Sequence, residues 1–67
     1  MNKILEFGSV EEGFRAYVWQ GSDGYTAKTE TRLEKGVWRM PFKTYDKLSE
    51  AFEFVTEQIK RKEDEGL

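Results

Sequence analysis

Apolar and polar residues alternate most clearly over residues 13–33, where two period-two runs flank the turn-forming cluster Gly21-Ser22-Asp23-Gly24. The pattern predicts a β-hairpin. Pairing Gln20 with Tyr25 sets Val18 opposite Ala27, Ala16 opposite Thr29 and Phe14 opposite Thr31 on one face. The other face then pairs Trp19 with Thr26, Tyr17 with Lys28 and Arg15 with Glu30, the last an opposite-charge contact that favours this register.

After Glu34-Lys35-Gly36 the next run, residues 37–44, has two possible registers. A three-residue loop sets Trp38, Met40 and Phe42 opposite Arg32, Glu30 and Lys28. A two- or four-residue loop sets them opposite Leu33, Thr31 and Thr29 and keeps the apolar face continuous, and continuity selects this second register. Pro41 has no amide to give to a ladder, so this strand belongs at an edge or turns its nitrogen from its neighbour. Residues 3–7 predict a further strand that returns through residues 8–13, bringing Phe7 to Phe14, Leu5 to Ala16 and Glu6 to Arg15.

From Asp46 the period becomes helical, with Leu48, Ala51, Phe52, Val55 and Ile59 on one stripe and Phe54 off its centre. Asp46 is the expected N-cap, Glu50 suits the early turns, and Lys60, Arg61 and Lys62 suit the C-terminal end, so the helix is expected to run to about residue 62. Residues 63–67 read as a frayed acidic tail. The predicted fold is α+β: an antiparallel meander of three or four strands with one C-terminal helix packed on one face, a single domain over residues 1–62.

Composition narrows the chemistry. The 67 residues carry eleven Lys and Arg against thirteen Asp and Glu, for a net charge of −2, with 15% aromatic residues and neither Cys nor His. Disulfides and thiolate zinc sites are excluded, and the commonest general base and metal ligand is missing. Glu11 and Glu12 are loop neighbours, while Glu50, Glu53 and Glu57 fall on the polar side of the helix, so no carboxylate pair converges. The Gly21–Gly24 turn returns into a strand rather than a helix, unlike a phosphate cradle, and Asp23 alone does not make a calcium site. No enzyme activity, metal or cofactor is expected. No apolar run approaches a membrane span and no signal-peptide core is visible, so a cytoplasmic protein, or a phage protein made in a cytoplasm, is expected.

The face opposite the helix is the informative surface. In the selected registers it carries Arg15, Tyr17 and Trp19, then Thr26, Lys28, Glu30 and Arg32, then Val37, Arg39 and Lys43. Five basic residues against Glu30 give +4, or +3 if Glu6 joins them, whereas residues 46–67 hold seven acids and four bases, a net of −3. Rings interleaved with cations on an open sheet suit DNA or RNA, with Tyr17 and Trp19 stacking on bases and Arg15, Lys28, Arg32, Arg39 and Lys43 meeting phosphates. The alternative is a protein-interaction or inhibitor module, or a homodimer, that uses Tyr17, Trp19 and Val37 as an interface. In that case the acidic helix offers a second contact, a mimic of nucleic-acid charge.

The strand order, the opening Gly13-Phe14-Arg15-Ala16 and the Phe42-Lys43-Thr44 step before a helix with Glu50-Ala51 resemble the small arm-type domains at the N-termini of tyrosine integrases. The resemblance covers Gly13 to about Ile59. Such domains insert their sheet into the DNA major groove, which would implicate Arg15, Tyr17, Lys28, Arg32 and Arg39.

Overall fold

The hairpin forms from strands β2 (Phe14–Gly21) and β3 (Gly24–Arg32) in the register that alternation and the Arg15/Glu30 pair predict, from Phe14 opposite Thr31 to Gly21 opposite Gly24. In the computed structural model, which describes residues 1–34 and 36–65 with Asp64 and Glu65 as backbone only, Gly24 sits at φ +139°. A β-carbon there would lie 2.3 Å from the Tyr45 carbonyl oxygen, so glycine alone lets the turn tuck beneath the end of the last strand.

Strand β1 (Asn2–Ser9) flanks β2 on one side. Its register is slipped by two residues from the expected one: Phe7 faces Ala16 and Leu5 faces Val18, with Ser9 opposite Phe14. The even slip preserves the faces, and Phe7 still meets Phe14 diagonally at 6.1 Å between ring centroids. Gly8 permits the slip, since it faces Arg15 at φ +89° and any side chain would run into the Phe14 carbonyl. A bulge between Lys3 and Leu5 then changes parity, so that Lys3 opposes Trp19.

On the other side, strands β4 (Trp38–Arg39) and β5 (Phe42–Tyr45) both pair with β3. Here the expected register is overturned. Trp38 lies opposite Arg32 and Phe42 opposite Lys28, the alignment of the three-residue loop, and the Leu33 amide donates to the Val37 carbonyl at 2.7 Å. Continuity of apolar residues was the wrong criterion because the covering helix needs a low surface to lie on. Ala27, Thr29 and Thr31 supply it, and packing Trp38, Met40 and Phe42 beside them would lift the helix away. The Thr29 amide donates to the Pro41 carbonyl at 3.1 Å, but Pro41 returns nothing, and the ladder is interrupted there between β4 and β5.

Helix α1 (Leu48–Glu65) packs across β3 and β5. Its first turn closes on the Lys47 carbonyl, which accepts from the Glu50 and Ala51 amides, one residue later than a cap at Asp46. It also runs three residues beyond the expected end, while residues 66 and 67 of the expected tail lie outside the described residues. Ala51 and Val55 are buried with Phe14, Ala16, Val18 and Ala27, bordered by Leu5, Tyr25, Tyr45, Leu48, Phe54 and Ile59. The buried stripe is turned toward Ala51 and Gln58, so Phe54 meets Tyr45 at 6.1 Å while Phe52 is left 42% exposed. Alanine at 51 over Ala27 and the threonines allows close helix-to-sheet approach, and that approach sets the rotation.

Candidate functional site

Alternation along four strands assembles the face that the helix leaves open. One cross-strand row runs Trp19, Thr26, Thr44, and the next runs Tyr17, Lys28, Phe42. Arg15 and Glu30 follow, then Arg32 beside Trp38. Of the seven residues predicted for the site, Arg15, Tyr17, Trp19, Lys28 and Arg32 come together on this face. Arg39 and Lys43 do not, because the three-residue loop turns them to the helix side: Arg39 opposes Thr31, and Lys43 opposes Ala27 with its ammonium 5.4 Å from the Tyr45 ring centroid. The Leu33–Val37 hydrogen bond continues the same register and places Val37 on the strand side opposite Trp38.

Four contributors were not anticipated. Trp38, Met40 and Phe42 arrive with the overturned register, and Lys3 arrives through the bulge. Arg32 lies 5.9 Å from the Trp38 ring centroid and Lys3 lies 5.7 Å from that of Tyr17, both within cation–π range. The cross-strand pairs Arg32/Trp38 and Lys28/Phe42 were the sequence signal for the correct register, since each sets an aliphatic, charged stem against a ring.

Tyr17 and Trp19 stack on each other, with centroids 5.3 Å apart and planes 15° from parallel. Both are half-buried, whereas Met40 and Phe42 on the same face are 53% and 69% exposed. Thr26 and Thr44 join hydroxyls at 2.9 Å across β3 and β5.

The charges of the face are largely matched within it. Glu30, buried in mid-strand, takes Arg15 at 2.6 Å on Oε1 and Lys28 at 3.4 Å on Oε2. Lys3 pairs with Glu6 at 2.6 Å. Arg32 donates to the carbonyls of Val10 and Glu11 at 3.2 and 3.5 Å, tying the loop between β1 and β2 to the end of β3. Lys3, Arg15, Lys28 and Arg32 against Glu6 and Glu30 leave a net +2, one unit below the +3 expected of this face with Glu6 on it.

The helix side differs in sign. Burial raises the Tyr45 hydroxyl above its ordinary value, and the carboxylates of Glu57, Glu50 and Glu53 raise it further. Among the described residues no group of three or more acidic, His or Cys side chains converges as a metal site, and no helix is long and apolar enough to cross a membrane. Comparison with known proteins finds no matching family model, no matching curated protein and no matching solved structure. The likeness to arm-type integrase domains accordingly rests on the order of strands and helix and on its short motifs.

Proposed function

We propose that the protein is a non-catalytic nucleic-acid-binding module that works through the open face of its sheet. The observation that carries this reading is the gathering of four rings, Tyr17, Trp19, Trp38 and Phe42, with four cations, Lys3, Arg15, Lys28 and Arg32, on one uncovered surface. Rings offer stacking surfaces to bases, and the cations beside them meet phosphates. The opposite sign of the helix, with Glu50, Glu53 and Glu57 exposed, orients a polyanion toward the sheet. A DNA or RNA ligand therefore has one approach.

A second reading, from a different class, is a protein-interaction face or homodimer on the same surface. The exposure of Met40 and Phe42 beside already paired cations favours it. Charge reversal separates the two. Lys28→Glu is expected to weaken binding to DNA and RNA oligonucleotides about tenfold or more at low salt, while Lys60→Glu on the helix leaves it intact. Equal loss in both variants, or no binding by the unmodified protein with light scattering reporting a dimer, would overturn the nucleic-acid reading in favour of the interface.

A further inference from the structure

We infer that the ligand of this face is single-stranded, and that base stacking rather than phosphate neutralisation supplies most of the affinity. The inference rests on the nucleic-acid reading above and goes beyond it in naming the form of nucleic acid. Two independent features of the face lead to it.

The first is the placement of the rings. Tyr17 and Trp19 form a stacked pair on β2, and Phe42 lies in the Tyr17 row two strands away, about 10 Å at ordinary strand spacing. Trp38 stands four residues along from Phe42 on the same edge, about 13 Å away at an extended rise. Rings this far apart suit separate, unstacked bases of an extended strand rather than one continuous stack. A duplex buries its base faces in its own stack and offers grooves and phosphates instead, to which four spread rings contribute little.

The second is the charge. Glu30 holds Arg15 and Lys28, Glu6 holds Lys3, and Arg32 is committed to two backbone carbonyls and the Trp38 ring. A phosphate can engage these cations only in competition with partners already in place. With about two phosphates engaged against the partners already in place, log K is expected to fall with log salt at a slope near −1.4, from about −0.7 per phosphate on a single strand. A duplex-reading surface with six to ten phosphate contacts would lose affinity far more steeply.

Both tryptophans of the chain lie on this face, so their fluorescence reports it selectively. The unmodified protein is titrated with oligothymidylate and oligouridylate of about twelve nucleotides and with a DNA duplex of similar length, each at several salt concentrations. Single strands are expected to bind at least about tenfold more tightly than the duplex, with a slope shallower than about −2. Phe42→Ala, at a position 69% exposed and so compatible with folding, is expected to weaken single-strand binding about tenfold without changing the slope. Trp19→Ala, read through Trp38, is expected to do the same. The two oligonucleotides separate DNA from RNA as the source of the strand. Duplex binding that equals or exceeds single-strand binding, or a Phe42→Ala variant that binds as well as the parent, would overturn this inference and leave the nucleic-acid reading in place. Absence of binding to all three probes at low salt would remove that reading itself.

Discussion

Glu30→Gln separates the structural work of the open face from its binding work, because one carboxylate serves both. The Glu30 side chain is 9% exposed and lies against Arg15 and Lys28, whose side chains are 37% and 34% exposed. Replacing it with the isosteric amide keeps the volume but removes the acceptor charge and points an NH2 group at two cations. Solvent screens the exposed partners, so the loss lies toward the lower end for a buried charged contact, about 1–2 kcal/mol. In a domain of this size that is a fall in Tm of about 5–15 °C. The same substitution raises the net charge of the face from +2 to +3 and releases Arg15 and Lys28 for phosphates. Single-strand affinity at low salt should therefore rise, and the salt slope should steepen by about 0.7. Thermal unfolding followed by circular dichroism and fluorescence titration at several salt concentrations measure the two effects on one sample. A variant that loses stability and also loses binding while still folded would refute the reasoning, since it would mean that Glu30 supports the ligand instead of competing with it.

The remaining expectations concern the fold. Gly24→Ala meets both a positive φ and the Tyr45 carbonyl at 2.3 Å, and should cost about 2–3 kcal/mol in denaturant unfolding. Gly36→Ala, at φ +79° with nothing within 4 Å, should cost only about 1 kcal/mol, and equal losses would argue against the tucked turn. The Thr29 hydroxyl is fully buried with no hydrogen-bond partner among the described residues, so Thr29→Val should stabilise by about 0.5–1.5 kcal/mol; a loss on chemical denaturation would show that the hydroxyl is satisfied. Tyr45 holds its proton more tightly in the folded chain, so its contribution to stability is complete below the ordinary tyrosine pKa of 10.0 and is lost as pH rises through the raised folded value. An ultraviolet tyrosinate titration should show a late component that is missing from Tyr45→Phe.

The β2–β3 hairpin was legible residue by residue because two short-range constraints agree there: a glycine-flanked turn and an opposite-charge pair at Arg15 and Glu30. The helix was legible in place but not in rotation. Its apolar stripe is two-sided, and whether Phe52 or Phe54 points inward depends on how low the sheet lies beneath Ala51. The edge-strand register failed for a related reason. Hydrophobic continuity treats every apolar residue as core, yet an 18-residue helix covers only part of a four-strand width, and the large residues Trp38 and Phe42 fall on the side with room for them. Five of the seven predicted site residues followed from the hairpin alone. Arg39 and Lys43 were lost with the register, and Lys3 required a bulge that no residue of β1 announces.

Neither border of the sheet runs unbroken. On one side the bulge at Ile4 kinks β1 beside the ion-paired Lys3 and Glu6; on the other the border consists of a two-residue strand and a four-residue strand separated at Pro41. A newcomer strand would find no long row of evenly spaced amides and carbonyls on which to zip, the opening step of domain swapping and fibril growth. The chain can thus leave rings such as Phe42 in contact with water at working concentrations without polymerising through its borders. The uncovered face, rather than the borders, is therefore the surface the sheet offers to a partner.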